Sequence, residues 1–191
     1  QNIYKIPIGE GTEIEFIFIG PETVGEELLI QANIQHRVIM AGKLRRYASL
    51  QNIFDIFKIP VGIVQALWHL FFFMPNVIFS KGGYGSVPVV IAAWLFRIPV
   101  VIHESDTIPG LANKFCSALA QKIAISFPES AQFFSSKKKN KIALTGNPVR
   151  PELLNGTPEE AKKVFGLSGL KSVLLILGGS QGALAINQAV L

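Results

Sequence analysis

Residues 77–104 read VIFSKGGYGSVPVVIAAWLFRIPVVIHE. A short β-favouring run, Val77 to Ser80, enters a glycine-rich turn, and Pro88 stands where the first turn of a helix tolerates proline. An apolar helical stretch then leads to a second β-favouring run, Val100 to His103. Strand, helix and strand in so short a span make a crossover unit, which lays its two strands parallel. Val100-Val101-Ile102 is apolar at every position, as expected of a strand covered by helices on both faces.

The same rhythm extends in both directions. Ile14 to Ile19, Ile34 to Ile39, Ile123 to Ser126, Ile142 to Thr145 and Val173 to Leu177 are β-rich runs separated by helical patterns. Together they predict a doubly wound α/β fold, a Rossmann-like parallel sheet with covering helices. Pro109 marks another helix start, and Thr157 with Glu160 spells a capping box ahead of Ala161 to Phe165. The stretch from Thr145 to Pro158 holds Pro148, Pro151 and Gly156 and reads as a linker. It divides a domain at 1–147 from a linker and the beginning of a second domain at 148–191. The chain opens without Met and closes at Leu191 inside a helical pattern, so it is expected to be a fragment of a longer protein.

Composition narrows the class. The 191 residues are 49% apolar and 16% charged, with 14 Phe, which is globular and rich in apolar side chains. The richest region, Ile53 to Phe79, is interrupted by Asp55, Lys58, Pro60, Gln65, His69, Pro75 and Asn76. It falls short of the roughly 18 uninterrupted apolar residues that span a bilayer, and is expected to lie on a membrane or pack in a core. The net charge of +5 gathers at Lys43, Arg45 and Arg46 and again at 137–141. Basic groups next to Phe and Trp on helices favour anionic lipid over nucleic acid, whereas the lysine run at 135–141 is expected to be a solvated loop. A lone cysteine, Cys116, excludes an internal disulfide and is expected to fill the core.

Ligands of doubly wound sheets sit beyond the carboxyl ends of the strands, so four loops matter. Lys81-Gly82-Gly83-Tyr84-Gly85 suits either an anion cradle or a plain tight turn. Gly178-Gly179-Ser180-Gln181-Gly182 opens a helix without the Lys-Ser/Thr ending of a nucleoside-triphosphate loop, and suits a diphosphate. His103-Glu104-Ser105-Asp106 could serve acid/base chemistry or fix a loop by hydrogen bonds. Arg150, after Gly146-Asn147-Pro148-Val149, could clamp a phosphate or remain an ordinary surface arginine.

In this order, Lys81-Gly-Gly-Tyr-Gly-Ser-Val-Pro88, Pro99-Val-Val-Ile-His-Glu104, Pro109-Gly-Leu-Ala-Asn113, Gly146-Asn-Pro-Val-Arg150 and Gly178-Gly-Ser-Gln-Gly-Ala183 resemble the MurG family of UDP-N-acetylglucosamine transferases. The resemblance runs from about Ile14 to Leu191. It implies a GT-B fold, with a lipid-linked acceptor on the first domain and UDP-N-acetylglucosamine mostly on the second. The implied reaction is inverting transfer to the muramyl 4-hydroxyl of undecaprenyl-diphosphate-MurNAc-pentapeptide, in peptidoglycan synthesis for cell-wall growth, shape and division.

The resemblance further implies donor-side contacts at Arg150, Gly179, Ser180 and Gln181, with Asp106 standing where the family carries Asn. Acceptor-diphosphate contacts fall on Gly82, Gly83 and Tyr84, and His103 and Glu104 line the catalytic cleft. The family's first loop, Gly-Gly-Thr-Gly-Gly-His, which holds its general base, is not found in this chain, which is expected to be inactive by itself. No cofactor or bound metal is implied; the two aspartates, Asp55 and Asp106, lie far apart in sequence and form no Asp-x-Asp pair.

Peripheral docking on the cytoplasmic face of the bacterial membrane is implied too. It would use Lys43, Arg45 and Arg46 beside Ile53, Phe54, Phe57, Ile63, Leu67, Trp68 and Phe71. The implied partners are lipid I, UDP-N-acetylglucosamine, anionic inner-leaflet lipids and other cell-wall and division proteins, not nucleic acid. Other classes that fit the same residues are a non-catalytic lipid-binding half of a split transferase, a related glycolipid synthase and a nucleotide-sugar epimerase.

Overall fold

The computed structural model describes residues 4–7, 13–22, 25–42, 50–149, 155–167, 173–176 and 183–190. The chain divides into two compact units, Gln1–Asn147 and Pro148–Leu191.

The first unit carries two sheets. Strands β4 (Ile78–Ser80), β5 (Val100–Glu104), β6 (Lys122–Ile125) and β7 (Ile142–Leu144) pair in that order, all parallel. Strands β2 (Glu13–Gly20) and β3 (Gln35–Val38) also pair in parallel, and β1 (Tyr4–Pro7) joins the other edge of β2 antiparallel. The antiparallel β1 departs from the all-parallel expectation. Its four residues, Tyr-Lys-Ile-Pro, are too short for period-two alternation to separate them from loop.

Helices α1 (Glu26–Gln31), α2 (Leu50–Phe73), α3 (Ser86–Leu95) and α4 (Leu111–Cys116) connect the strands. Helix α2 runs through Pro60, which removes one intrahelical N–H without ending the helix. Gly62 lets it approach: a Cβ there would collide with the Met40 carbonyl and stand 3.2 Å from Pro88 Cγ of α3. Gln65 Oε1 then accepts from the Met40 N–H at 2.7 Å, tying α2 to the end of β3.

The core is formed by Ala66 and Leu70 of α2, Val89, Val90, Ala92 and Ala93 of α3, Val100 and Ile102 of β5, and Ile123 and Ile125 of β6. Helix α3 ends in a Schellman motif. Arg97, at φ 58°, donates to the Trp94 carbonyl, and the Ile98 N–H reaches back to Ala93 at 2.9 Å. Pro88 is the third residue of α3 and Pro109 precedes the α4 N-cap, Gly110, so Pro109 lies outside the helix rather than in its first turn.

The second unit has α5 (Pro158–Val164) and α6 (Leu184–Val190). Helix α5 starts with the predicted capping box, the Glu160 N–H donating to Thr157 Oγ1 and the Thr157 N–H to Glu160 Oε2. The expected strand Val173 to Leu177 is not one: residues 173–176 are irregular, and Leu177 lies outside the described residues. Its apolar sequence favours extension, but no described residue of this unit supplies the neighbouring strand that would pair its N–H and C=O groups.

Candidate functional site

The described site is assembled where the four parallel strands end. After β4, Gly82 and Gly83 hold φ of 91° and 83°, a left-handed path that side chains resist. Ser86 closes the turn onto the Gly83 carbonyl through its N–H at 3.2 Å and its hydroxyl at 2.8 Å. On the inner side Gly82 is walled by Asn113, whose carboxamide atoms stand 2.6 Å from where a Cβ would be; nothing lies within 4 Å of the corresponding point at Gly83. Tyr84, partly exposed, leads into α3.

After β5, His103 and Glu104 are buried, at 4% and 3% exposure, and both act as anchors. Glu104 accepts from the Asp106 N–H at 2.9 Å, the Gly110 N–H at 3.3 Å and Asn113 Nδ2 at 2.9 Å. One carboxylate thus pins the whole loop from β5 to α4, and such charge-assisted bonds are the strong ones. His103 Nε2 faces the Gly146 carbonyl oxygen at 3.0 Å, while Nδ1 faces Lys81 Nζ at 3.1 Å and Ser105 Oγ at 3.3 Å. A carbonyl only accepts, so Nε2 carries the proton and Nδ1 receives. Both ring nitrogens of His103 and both carboxylate oxygens of Glu104 have partners inside the protein, an arrangement that suits loop fixing.

After β6 and β7, Ser126 Oγ donates to Asn147 Oδ1 at 2.8 Å and Asn147 Nδ2 to the Ser105 carbonyl at 3.3 Å. The loops after β4, β5 and β7 are therefore stitched into one cluster containing Lys81, Gly82, Gly83, His103, Glu104, Ser105, Asp106, Gly146 and Asn147. Asp106 is exposed; its backbone is fixed at both ends, by Glu104 and by Ser130 Oγ at 2.8 Å. Lys81, Ser105, Asn113 and Asn147 join the cluster without being among the expected site residues. All four lie inside the quoted loops, but long-range hydrogen bonds such as Lys81 to His103 leave no sequence periodicity. Arg150, Gly179, Ser180 and Gln181 lie outside the described residues.

A second feature is the outer face of α2. Phe57 and Trp68 are 69% and 64% exposed, and Val61, Val64, Phe71 and Phe72 join them at helical spacing. Ile63 and Leu67 are half-buried. Trp68 and Phe72 pack edge to face, with centroids 4.7 Å apart. Lys43, Arg45 and Arg46 lie outside the described residues, as do the side chains of Ile53 and Phe54. No described helix is long and apolar enough to cross a membrane.

The lysine run forms a 3-10 turn, Ser136–Lys141, and is less free than a solvated loop: Lys138 donates to Ser117 Oγ and Lys141 to the Ala120 carbonyl. Cys116 is buried, and burial pushes its thiol up to about 11. A cleft of about 400 Å³ beside α2 is lined by Arg37, Trp68, His69 and Phe72, among others, away from the strand-end loops. Burial, and then the Arg37 charge, hold His69 below its ordinary pKa. Among the described residues no three His, Cys, Asp or Glu gather as metal ligands.

A protein of Clostridium kluyveri described as UDP-N-acetylglucosamine--N-acetylmuramyl-(pentapeptide) pyrophosphoryl-undecaprenol N-acetylglucosamine transferase is 43% identical over 190 residues, 99% of this chain and 53% of its own length. The chain thus spans about half the length of the curated relatives it matches. The crystal structure of Acinetobacter baumannii MurG superposes with a TM-score of 0.53 at 27% identity, over 70% of this chain and 36% of that one. Anabaena HepE in complex with UDP, at TM-score 0.56 and 14% identity over 86% of this chain and 47% of its own, shares the fold. Residues 8–125, more than half of the chain, match the N-terminal domain of glycosyltransferase family 28, and the chain belongs to that family.

Proposed function

We propose that this chain is the acceptor-binding half of an inverting transferase. The enzyme would move N-acetylglucosamine from UDP to the muramyl 4-hydroxyl of undecaprenyl-diphosphate-MurNAc-pentapeptide. The observation that carries this is the stitched loop cluster at the carboxyl ends of β4, β5 and β7, where the Gly82-Gly83 turn opens into the N-terminus of α3. A glycine turn feeding a helix suits a diphosphate, because close backbone approach and unpaired N–H groups meet there.

In this proposal Gly82, Gly83 and Tyr84 receive the acceptor diphosphate. His103 and Glu104 hold the cluster in shape rather than exchange protons with substrate. Arg150, Gly179, Ser180, Gln181 and Asp106 serve the donor. The 4-hydroxyl oxygen attacks the anomeric carbon as its C–O bond to UDP breaks, and a base outside this chain takes the hydroxyl proton. Charge developing on the departing diphosphate would be stabilised by helix N–H groups and Arg150, without a bound metal. The 191-residue chain alone would be inactive.

The exposed apolar face of α2, with Lys43, Arg45 and Arg46, would dock the enzyme peripherally on anionic inner-leaflet lipid at the cytoplasmic face, beside other cell-wall and division proteins. Each basic group near such a surface contributes on the order of 1 kcal/mol, and inserted aromatic side chains add to that.

The test is a labelled-donor assay of the intact protein that carries this chain. Label is expected on the undecaprenyl-diphosphate-linked muramyl peptide. Label only on diacylglycerol would replace this reading with a glycolipid synthase, and epimerised UDP-sugar without transfer would replace it with an epimerase.

A further inference from the structure

Lys81 is the first residue after β4, and its ammonium is held by two neutral groups. Nζ donates to Ser105 Oγ at 2.8 Å and lies 3.1 Å from His103 Nδ1, the nitrogen left as acceptor by the bond from Nε2 to Gly146. Ser105 is itself fixed, its carbonyl accepting from Asn147. Among the described residues no carboxylate pairs with Lys81, whose side chain is exposed. An ammonium has three N–H groups, and two are used here. Among the described residues the third has no partner, and nothing described neutralises the charge.

Next to it the glycine turn is closed on one flank and open on the other. Asn113 donates through Nδ2 to the His103 carbonyl and to Glu104, which fixes its orientation. Its Oδ1, buried and without a hydrogen-bond partner, stands against Gly82. Gly83 has open space where a side chain would be, so a ligand's way to the turn is along that flank.

We propose that Lys81 is a binding and specificity-determining residue for the acceptor: its ammonium, aimed by Ser105 and His103, takes one oxygen of the acceptor's diphosphate. This rests on the acceptor assignment of the Gly82-Gly83-Tyr84 loop. A restrained cation loses less conformational freedom on binding than a free lysine, so its preference for a doubly charged diphosphate over a neutral glycolipid head costs little ordering entropy.

The experiment is steady-state kinetics of the intact enzyme with a short-prenyl lipid I analogue and UDP-N-acetylglucosamine, for Lys81→Met, Lys81→Arg and Ser105→Ala. Lys81→Met should raise the acceptor KM about tenfold or more while donor KM and kcat change less than about threefold; Lys81→Arg should recover most of the loss. Ser105→Ala, which loosens the ammonium without removing it, should raise acceptor KM about threefold. An acceptor KM unchanged in both Lys81→Met and Ser105→Ala would overturn the proposal, as would a rise confined to the donor KM. If Lys81→Met fails to fold, Ser105→Ala alone decides between these outcomes. A wild-type enzyme that uses no prenyl-diphosphate acceptor would instead defeat the functional assignment on which the proposal rests.

Discussion

The strand-end loop cluster and the outer face of α2 are opposites in chemistry. In the cluster, polar and charged groups are buried and bonded to one another: Glu104 at 3% exposure accepts three hydrogen bonds. On α2, Phe57 and Trp68 are large, apolar and exposed. Each arrangement runs against the ordinary distribution of side chains, in which carboxylates face water and aromatics leave it. Burying a carboxylate without partners costs several kcal/mol, so Glu104 is tolerated there because both of its oxygens accept hydrogen bonds. The aromatic stripe of α2 has no covering group among the described residues, which suits a surface for association. On the proposed function the first region is held for geometry and the second for association.

Substitutions should separate the two. The largest effect is expected from Glu104→Ala, which takes the acceptor from the Asp106 and Gly110 N–H groups and from one of the two Asn113 Nδ2 hydrogens, the other keeping the His103 carbonyl; at about 1–3 kcal/mol for each orphaned donor, the loss should be about 3 kcal/mol or more. Chemical denaturation measures it, and partition onto anionic vesicles by whatever protein remains folded should be unchanged. Phe57→Glu and Trp68→Glu should do the reverse. Each removes about 1.5–3 kcal/mol of apolar transfer, weakening vesicle binding about tenfold or more, with the unfolding midpoint held or slightly raised. A stability loss in these two variants would mean that the face is core and not a docking surface.

Smaller effects calibrate the comparison. Arg97 holds φ 58° at the end of α3, where a non-glycine residue costs roughly 1 kcal/mol, so Arg97→Gly should stabilise the fold by about that amount and touch neither region. Cys116, with its thiol pushed up to about 11 by burial, should resist alkylation at pH 8 in the folded chain and react on unfolding, because about one molecule in a thousand carries the thiolate there. Rapid labelling of the native protein would show that the α3–α4 packing opens.

The strands after Ile14 in the first unit were legible from runs such as Val100-Val101-Ile102, because a buried parallel strand must be apolar on both faces. Glycines at 82 and 83 announced the left-handed turn for the same reason: few other residues tolerate it. What sequence did not carry was the wiring. The anchoring of His103 depends on Gly146, 43 residues away, and on Lys81, 22 residues away. Sorting α2 into core and surface likewise needed the fold, since Ala66 and Leu70 are buried while Trp68 between them is exposed. The run 173–176 shows the converse, a strand-like sequence with no partner strand among the described residues of its unit.

On the proposed function this chain is the acceptor half. The most direct measurement is calorimetric titration of the 191-residue chain with a short-prenyl lipid I analogue and, separately, with UDP-N-acetylglucosamine, in parallel with Tyr84→Ala. Saturable binding of the acceptor analogue, weakened by Tyr84→Ala and with no comparable binding of the donor, is the predicted result. Binding of the donor without the acceptor would contradict it.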